Sequence, residues 1–401
     1  MRIAMMVDLY KPHISGVTNV VALTKKHLES IGHEVYVFTF GSLDYVDDEE
    51  NIIRSPGLPL LDTGFHLNLS YSRTARNLLQ TMDIVHIHHP FISGSLAMRF
   101  CRPRGIPIVF TNHTRYDLYA QAYLPMLPGA VSETALDAYL SSFCRSCDLV
   151  IAPSKGIQHV LAGYGIVDRV VVLPNGVDIQ PYMDCDQPMD RDNFGYDEND
   201  IVLVYVGRIG PEKNLPFLLR AYAGVTQAVE QAKLLIVGEG PERENLEDRL
   251  NHMGLNKYVT FTGRIPYEQV PAFLAMADIF VTASASEVHP LSVIEALATG
   301  LPVLGIDSPG VGDIIEDGIN GQLVSQGDIS AYTAKLTRLI VDRELRIHLG
   351  AQAKLDSSSY AIDRTVGLLC DNYNEILGRD DKLKQPIHVR IARKFITRKR
   401  W

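Results

Sequence analysis

At 401 residues the chain is too long for one ordinary hydrophobic core, so two domains are expected. With 46% hydrophobic and 21% charged residues it has the composition of a soluble globular protein, which excludes a largely disordered one. The net charge is −9, yet residues 382–401 carry eight Lys or Arg and no acid, so a basic end opposes an acidic body.

The opening MRIAMMVDLY runs into a short apolar strand without a signal-like core, and no run of about 18 apolar residues follows. A cytoplasmic protein with no spanning helix is expected. Five scattered cysteines (Cys101, Cys144, Cys147, Cys185, Cys370) do not make a disulfide framework, and reduced thiols are expected. Apolar runs at 2–7, 33–40, 83–88, 107–113 and 148–154 predict strands, and amphipathic stretches at 17–32 and 72–81 predict helices between them. That alternation implies βαβ units on a parallel sheet. Residues 175–200, rich in Asp, Asn, Pro and Gly, read as an interdomain linker. The alternation then restarts, with strands at 200–208, 232–240, 259–264, 278–284, 302–306 and 321–324 and helices at 215–231, 242–253, 267–276 and 291–299. The expected architecture is α/β: two Rossmann-like, doubly wound domains, 1–178 and 179–360, then a helix at 361–381 and the basic tail at 382–401. A ligand should lie between them, beyond the C-terminal ends of the strands.

The densest constellation is Ser286-Glu287-Val288-His289-Pro290-Leu291-Ser292-Val293-Ile294-Glu295 followed by EALATGLPV. A loop and a helix N-terminus near Leu291 offer backbone N–H groups to a diphosphate, and two carboxylates can accept from sugar and ribose hydroxyls. Two Glu separated by seven residues, with that trailing run, resemble the signature of retaining GT-B enzymes of glycosyltransferase family 4. The resemblance extends to Gly207-Arg208 with Glu212-Lys213-Asn214, to Pro174–Asp178, to Gly238–Pro241 and to Phe261–Arg264, and so covers the chain to about Leu377. It implies the GT-B fold, with Glu287 on the transferred hexose and Glu295 on the ribose. His289, Pro290 and Leu291 would line the donor, and Arg264 and Ile265 would border the base. Arg208 and Lys213 would steady the departing diphosphate, where charge develops; a solvated pair at a turn is the alternative. Gly16, after the first strand, would let backbone approach the donor, or is simply a helix-start residue.

On the first-domain side, His113 at the end of PIVFTNH resembles the histidine that faces the reacting sugar, against a structural histidine. Asp8 could align the acceptor hydroxyl or cap a helix. Residues 111–125 resemble the T-x-H-T-x-Y-x-x-Y stretch of diacylglycerol glucosyltransferases, which places Tyr116 and Tyr119 at the acceptor. Tyr116, Tyr119, Tyr123, Leu124, Met126 and Leu127 suit a membrane interface or a buried core. With Arg99, Arg102, Arg104 and the basic tail, whose Ile387, Ile391 and Phe395 share one helical side, they predict a peripheral protein on the anionic inner face of the plasma membrane. Nucleic acid is not an expected partner. His86, His88, His89, the Cys144–Cys147 pair and Asp184-Cys185-Asp186 are discounted as metal or redox sites, so neither metal nor cofactor is expected. UDP-glucose is the donor the resemblance favours, although no residue excludes GDP or ADP. Sulfoquinovosyl or mannosyl transfer, a soluble acceptor, a non-catalytic nucleotide-sugar binder, and a GT-B epimerase or phosphorylase are the rival readings.

Overall fold

The computed structural model describes residues 1–42, 44–59, 66–67, 70–116, 118 and 129–383. Its strands are β1 (Arg2–Met6), β2 (Glu34–Phe40), β3 (Ile52–Ser55), β4 (Leu58–Pro59), β5 (His66–Leu67), β6 (Ile84–Ile87), β7 (Ile108–Thr111), β8 (Leu149–Ala152) and β9 (Val170–Val172) in the first half. In the second half they are β10 (Ile201–Val206), β11 (Ala232–Val237), β12 (Val259–Gly263), β13 (Ile279–Val281), β14 (Val303–Ile306) and β15 (Gly321–Val324). They form two parallel sheets, ordered β3-β2-β1-β6-β7-β8-β9 and β12-β11-β10-β13-β14-β15, with β4 and β5 as a separate antiparallel pair. Every residue of β6, β7 and β8 is buried, as expected of strands that helices cover on both faces.

Helix Gly16–Ser30 starts where the Ser15 hydroxyl accepts from the Thr18 N–H. Its Val21 and Leu28 pack with Ile3, Met5 and Val35 of the first sheet. The last helix, Ile362–Leu383, joins that face through Val366, Leu369, Tyr373 and Ile376. The end of the chain therefore returns to the first domain. Its entry lies beside the outgoing crossing, because the Val177 N–H donates to Tyr360 O and the Ile362 N–H to Val177 O, each at 2.9 Å. The linker between the sheets is more ordered than its composition suggests: Gln180–Met183 forms a helical turn, and Tyr182 and Tyr196 are buried in the second domain's core.

In each sheet the strand order reverses at its first strand, β1 or β10, and the crevice beyond such a reversal is where open α/β sheets bind ligands. The two domains close over it. Ser154 Oγ donates to Pro309 O at 3.1 Å and the Gly156 N–H to the Asp313 carboxylate at 2.6 Å. A Cβ on Gly156 would stand 2.4 Å from Pro309 O, so glycine is what lets the domains meet there.

Candidate active site

The loop after β13 carries Glu287, and the loop after β10 holds it from one side. Ser284 Oγ and Ser286 Oγ donate to Glu212 O at 3.1 and 3.3 Å, and Asn214 Nδ2 donates to Ala283 O at 3.3 Å. This lacing brings Lys213 Nζ to 2.6 Å from Glu287 Oε1, with side chains 22% and 18% exposed. Shielding of that degree makes the pair stronger than an open surface salt bridge. Arg208 lies nearby with its side chain 63% exposed and approaches Glu212 at 3.3 Å.

The far side of the same loop is held by the first domain. Val288 is buried in the first sheet's core cluster, and Asn175 Nδ2 donates to His289 O at 3.1 Å. Burying a valine stabilises by about 1.5–3 kcal/mol, so the Glu287 loop is anchored and not merely adjacent. The His289 ring is buried against Tyr360, 5.4 Å between centroids, and burial pushes its pKa down to about 3. The packed, neutral ring therefore brings no charge to the site. Pro290 then starts helix Leu291–Thr299, and no side chain caps that end. The backbone N–H groups of the first turn thus remain available to an anion.

Glu295, in that helix, is buried and accepts from the Tyr267 hydroxyl at 2.7 Å. Burial raises its pKa to about 7 against the lowering effect of that bond. Ile265, after β12, packs against the second core. Arg264 lies within electrostatic reach of both Glu239 and the first-domain His13. His13 has its pKa lowered by burial first and then by Arg208 and Arg264, which places the loop after β1 against the cationic wall. Gly16 follows that loop, and a Cβ there would meet nothing within 4 Å. No protein atom therefore demands glycine at that position.

His113 Nε2 lies 2.9 Å from His88 Nδ1, and the His88 ring stacks on His86 at 4.3 Å. His86 in turn bonds the Tyr373 hydroxyl and Thr111 Oγ1, each at 2.6 Å. Burial holds His86 down to about 3 and keeps His88 and His113 well below the usual imidazole range. All three rings are neutral at physiological pH.

Two acceptor-side expectations change. The Asp8 carboxylate accepts from the Ile92 and Ser93 N–H groups at 3.4 and 2.7 Å, and from the Ser93 hydroxyl. It caps helix Ile92–Phe100, whose own N-cap residue supplies no side-chain bond, so the capping alternative describes it. Tyr116 is 3% exposed and stands edge-to-face on Phe91 at 5.5 Å, within the first core. The buried-core alternative describes it. Tyr119 and the residues at 123, 124, 126 and 127 lie outside the described residues, as does the tail from 384 onward. Cys144 and Cys147 are buried, and burial raises both thiols, opposite to what a reactive thiolate needs. Among the described residues no three His, Cys, Asp or Glu side chains are grouped to hold a metal ion.

Asn175, Tyr267, Asp313 and Tyr373 were not singled out from the sequence. Only Asn175 carried a signal, through the motif at 174–178; the others act through contacts 28 to 287 residues away.

Residues 14–181 match the description "Glycosyltransferase Family 4", and residues 186–356 match "Glycosyl transferases group 1". The chain is 28% identical over 375 residues to an alpha-monoglucosyldiacylglycerol synthase of Acholeplasma laidlawii, covering 90% of this chain and 94% of that one. It is likewise 28% identical over 404 residues to an alpha-monoglucosyldiacylglycerol synthase of Streptococcus pneumoniae, covering 96% and 90%. Among solved structures it superposes on an Anabaena protein in complex with UDP and glucose, with a TM-score of 0.75 and 18% identity over 94% of this chain and 100% of that one.

Proposed function

We propose that this chain, which belongs to the GT-B glycosyltransferases of family 4 and group 1, moves glucose from UDP-glucose to diacylglycerol at a membrane surface with retention at the anomeric carbon. The observation that carries the reading is the shielded Lys213–Glu287 pair at 2.6 Å, set beside an uncapped helix N-terminus in the interdomain cleft. Glu287 accepts from hexose hydroxyls. Lys213 has three N–H donors, so it can hold Glu287 and a phosphate oxygen together, and Arg208 adds a second charge. The first-turn N–H groups at Leu291 take the remaining phosphate oxygens, Glu295 the ribose hydroxyls, and Arg264 and Ile265 the base. Gly16 leaves room for the donor from the first domain, and His113 bonds the hexose.

In the reaction the bond from the anomeric carbon to the phosphate oxygen breaks. The bond to the acceptor oxygen forms on the same face, and the acceptor proton leaves with the phosphate. Fixed cations stabilise the leaving oxygen, so the step needs neither a metal nor an enzymic nucleophile. Glucose, diacylglycerol and the alpha configuration come from what the two relatives make.

Membrane attachment is supported by a basic face on the first domain. Arg76 and Arg99 both lie over the Phe100 ring, at 5.6 and 5.3 Å, next to Arg73, Arg102 and Arg104. No acid occurs within residues 70–82 or 91–106, although Asp148 reaches Arg102 at 3.1 Å. Each basic residue near an anionic surface contributes about 1 kcal/mol. Among the described residues no helix is long and apolar enough to cross a membrane.

The test is a screen of UDP-glucose, UDP-galactose and GDP-mannose against diacylglycerol vesicles and soluble acceptors, read by mass spectrometry. Hexosyl-diacylglycerol from UDP-glucose is expected; transfer only to a soluble acceptor would overturn the reading.

A further inference from the structure

The three stacked imidazoles beside the crossing at Pro174–Gly176 have a bonding pattern that decides which nitrogen of His113 carries its proton. His88 and His113 share one hydrogen bond, Nδ1 to Nε2 at 2.9 Å, so one ring donates and the other accepts. Both rings are neutral, so each has a single N–H. If His113 donated through Nε2, His88 would carry its own proton on Nε2. That atom is buried and has no hydrogen-bond partner among the described residues. A buried N–H without a partner is the costlier and rarer of the two orphans, compared with a bare acceptor nitrogen. The bond therefore runs from His88 Nδ1–H to His113 Nε2, and His113 keeps its proton on Nδ1.

We propose that His88 is a positioning residue that locks His113 as the Nδ1–H tautomer, so that His113 serves the sugar as a hydrogen-bond donor and not as a base. His86 and Tyr373 complete the device. Both nitrogens of His86 are engaged, by the Tyr373 hydroxyl and by Thr111 Oγ1 at 2.6 Å each, which clamps its ring as the shelf on which His88 stacks. Tyr373 is fully buried on the last helix, so the orientation of a first-domain site residue depends on the segment of chain that returns from the second domain. A donor N–H at His113 seeks an oxygen lone pair, as a sugar hydroxyl offers. It cannot take a proton from an acceptor, because its Nε2 lone pair already accepts from His88.

The inference rests on the proposed function only in naming a sugar as the partner of His113; the tautomer itself does not. The experiment is nitrogen-15 NMR of the full chain labelled at histidine, near pH 7, with the His113 ring assigned by the signals lost in His113→Asn. A protonated Nδ1 and an unprotonated Nε2 are expected for His113. A proton on Nε2, or a doubly protonated ring, overturns the proposal whatever the acceptor proves to be. Kinetics supply the second arm. His88→Phe should lower kcat about tenfold or more with the donor KM changed less than about threefold, and His88→Asn, which keeps an N–H near the Nδ1 position, should recover most of it. Equal losses in both variants would mean that His88 serves only as packing, which also overturns the proposal.

Discussion

Lys213 and Glu287 are each about one-fifth exposed, and the bonds that lace their loops run from Ser284 and Ser286 to Glu212 O, independent of either side chain. Their substitution should therefore separate chemistry from stability. Lys213→Ala, Glu287→Gln and Arg208→Ala should each lower kcat/KM by about 10²-fold or more while leaving Tm nearly unchanged, as steady-state kinetics and thermal melts will check. Turnover at the unaltered rate in Lys213→Ala would remove that residue from the leaving-group role. Glu295 behaves differently, because burial lifts it from 4.5 to about 7. A carboxyl raised in the fold binds more protons there than when unfolded, so its contribution falls as pH rises from about 4.5 through 7. The loss reaches about 3 kcal/mol at most. Glu295→Gln should melt above the unaltered protein at pH 8 and level with it near pH 4. If the ionised form accepts ribose hydroxyls, UDP binding should tighten from pH 6 to 8 with proton release seen by calorimetry, and Glu295→Gln should abolish both effects. Binding that weakens over that interval would contradict the ribose role.

The loop from 307 to 313 joins three parts of the cleft: Pro309 and Asp313 touch the first domain at Ser154 and Gly156, and Gly310 abuts the Glu287 carbonyl. A Cβ on Gly310 would stand 2.3 Å from Glu287 O, against backbone that cannot swing aside. Gly310→Ala should destabilise by about 1–3 kcal/mol and lower kcat, with donor KM affected less, since it shifts Glu287 within an otherwise intact site. Unchanged kinetics would show that the Glu287 loop is not positioned by this contact. Helix Leu291–Thr299 and strand β15 were legible to the residue, because an apolar run ended by Thr299-Gly300 and a short Gly321-Gln322-Leu323-Val324 run set between the polar Asn320 and Ser325 leave little choice of boundary. The positions of the loops that carry Arg208, Gly238 and Glu287 were legible for the same reason, as each loop follows a strand. What the sequence hid was long range. Asp8 reads equally as a cleft carboxylate or a cap until helix Ile92–Phe100 comes to it, and Tyr116 as an interface or a core residue until Phe91 covers it. The Asp-rich linker looked irregular because Tyr182 and Tyr196 find their core only in the second domain.

At the scale of the whole molecule, the crossings at Val177 and Ile362 run side by side, the last helix closes on the first sheet, and the arginine face lies on that same domain. Membrane attachment should then be electrostatic and first-domain based. Co-sedimentation with vesicles should rise with anionic lipid and fall with salt, and replacing Arg73, Arg76 and Arg99 by Gln should weaken it by about 3 kcal/mol or less while leaving the fold intact. Equal recovery in the supernatant with and without anionic lipid would argue for a soluble acceptor. The central claim, a same-face displacement steadied by Lys213 and Arg208, is tested most directly by proton NMR of the product made from UDP-glucose and diacylglycerol. An alpha-linked glucoside, matching the configuration of the donor, is the expected result; a beta-linked glucoside, or free glucose with no glycolipid, would contradict it.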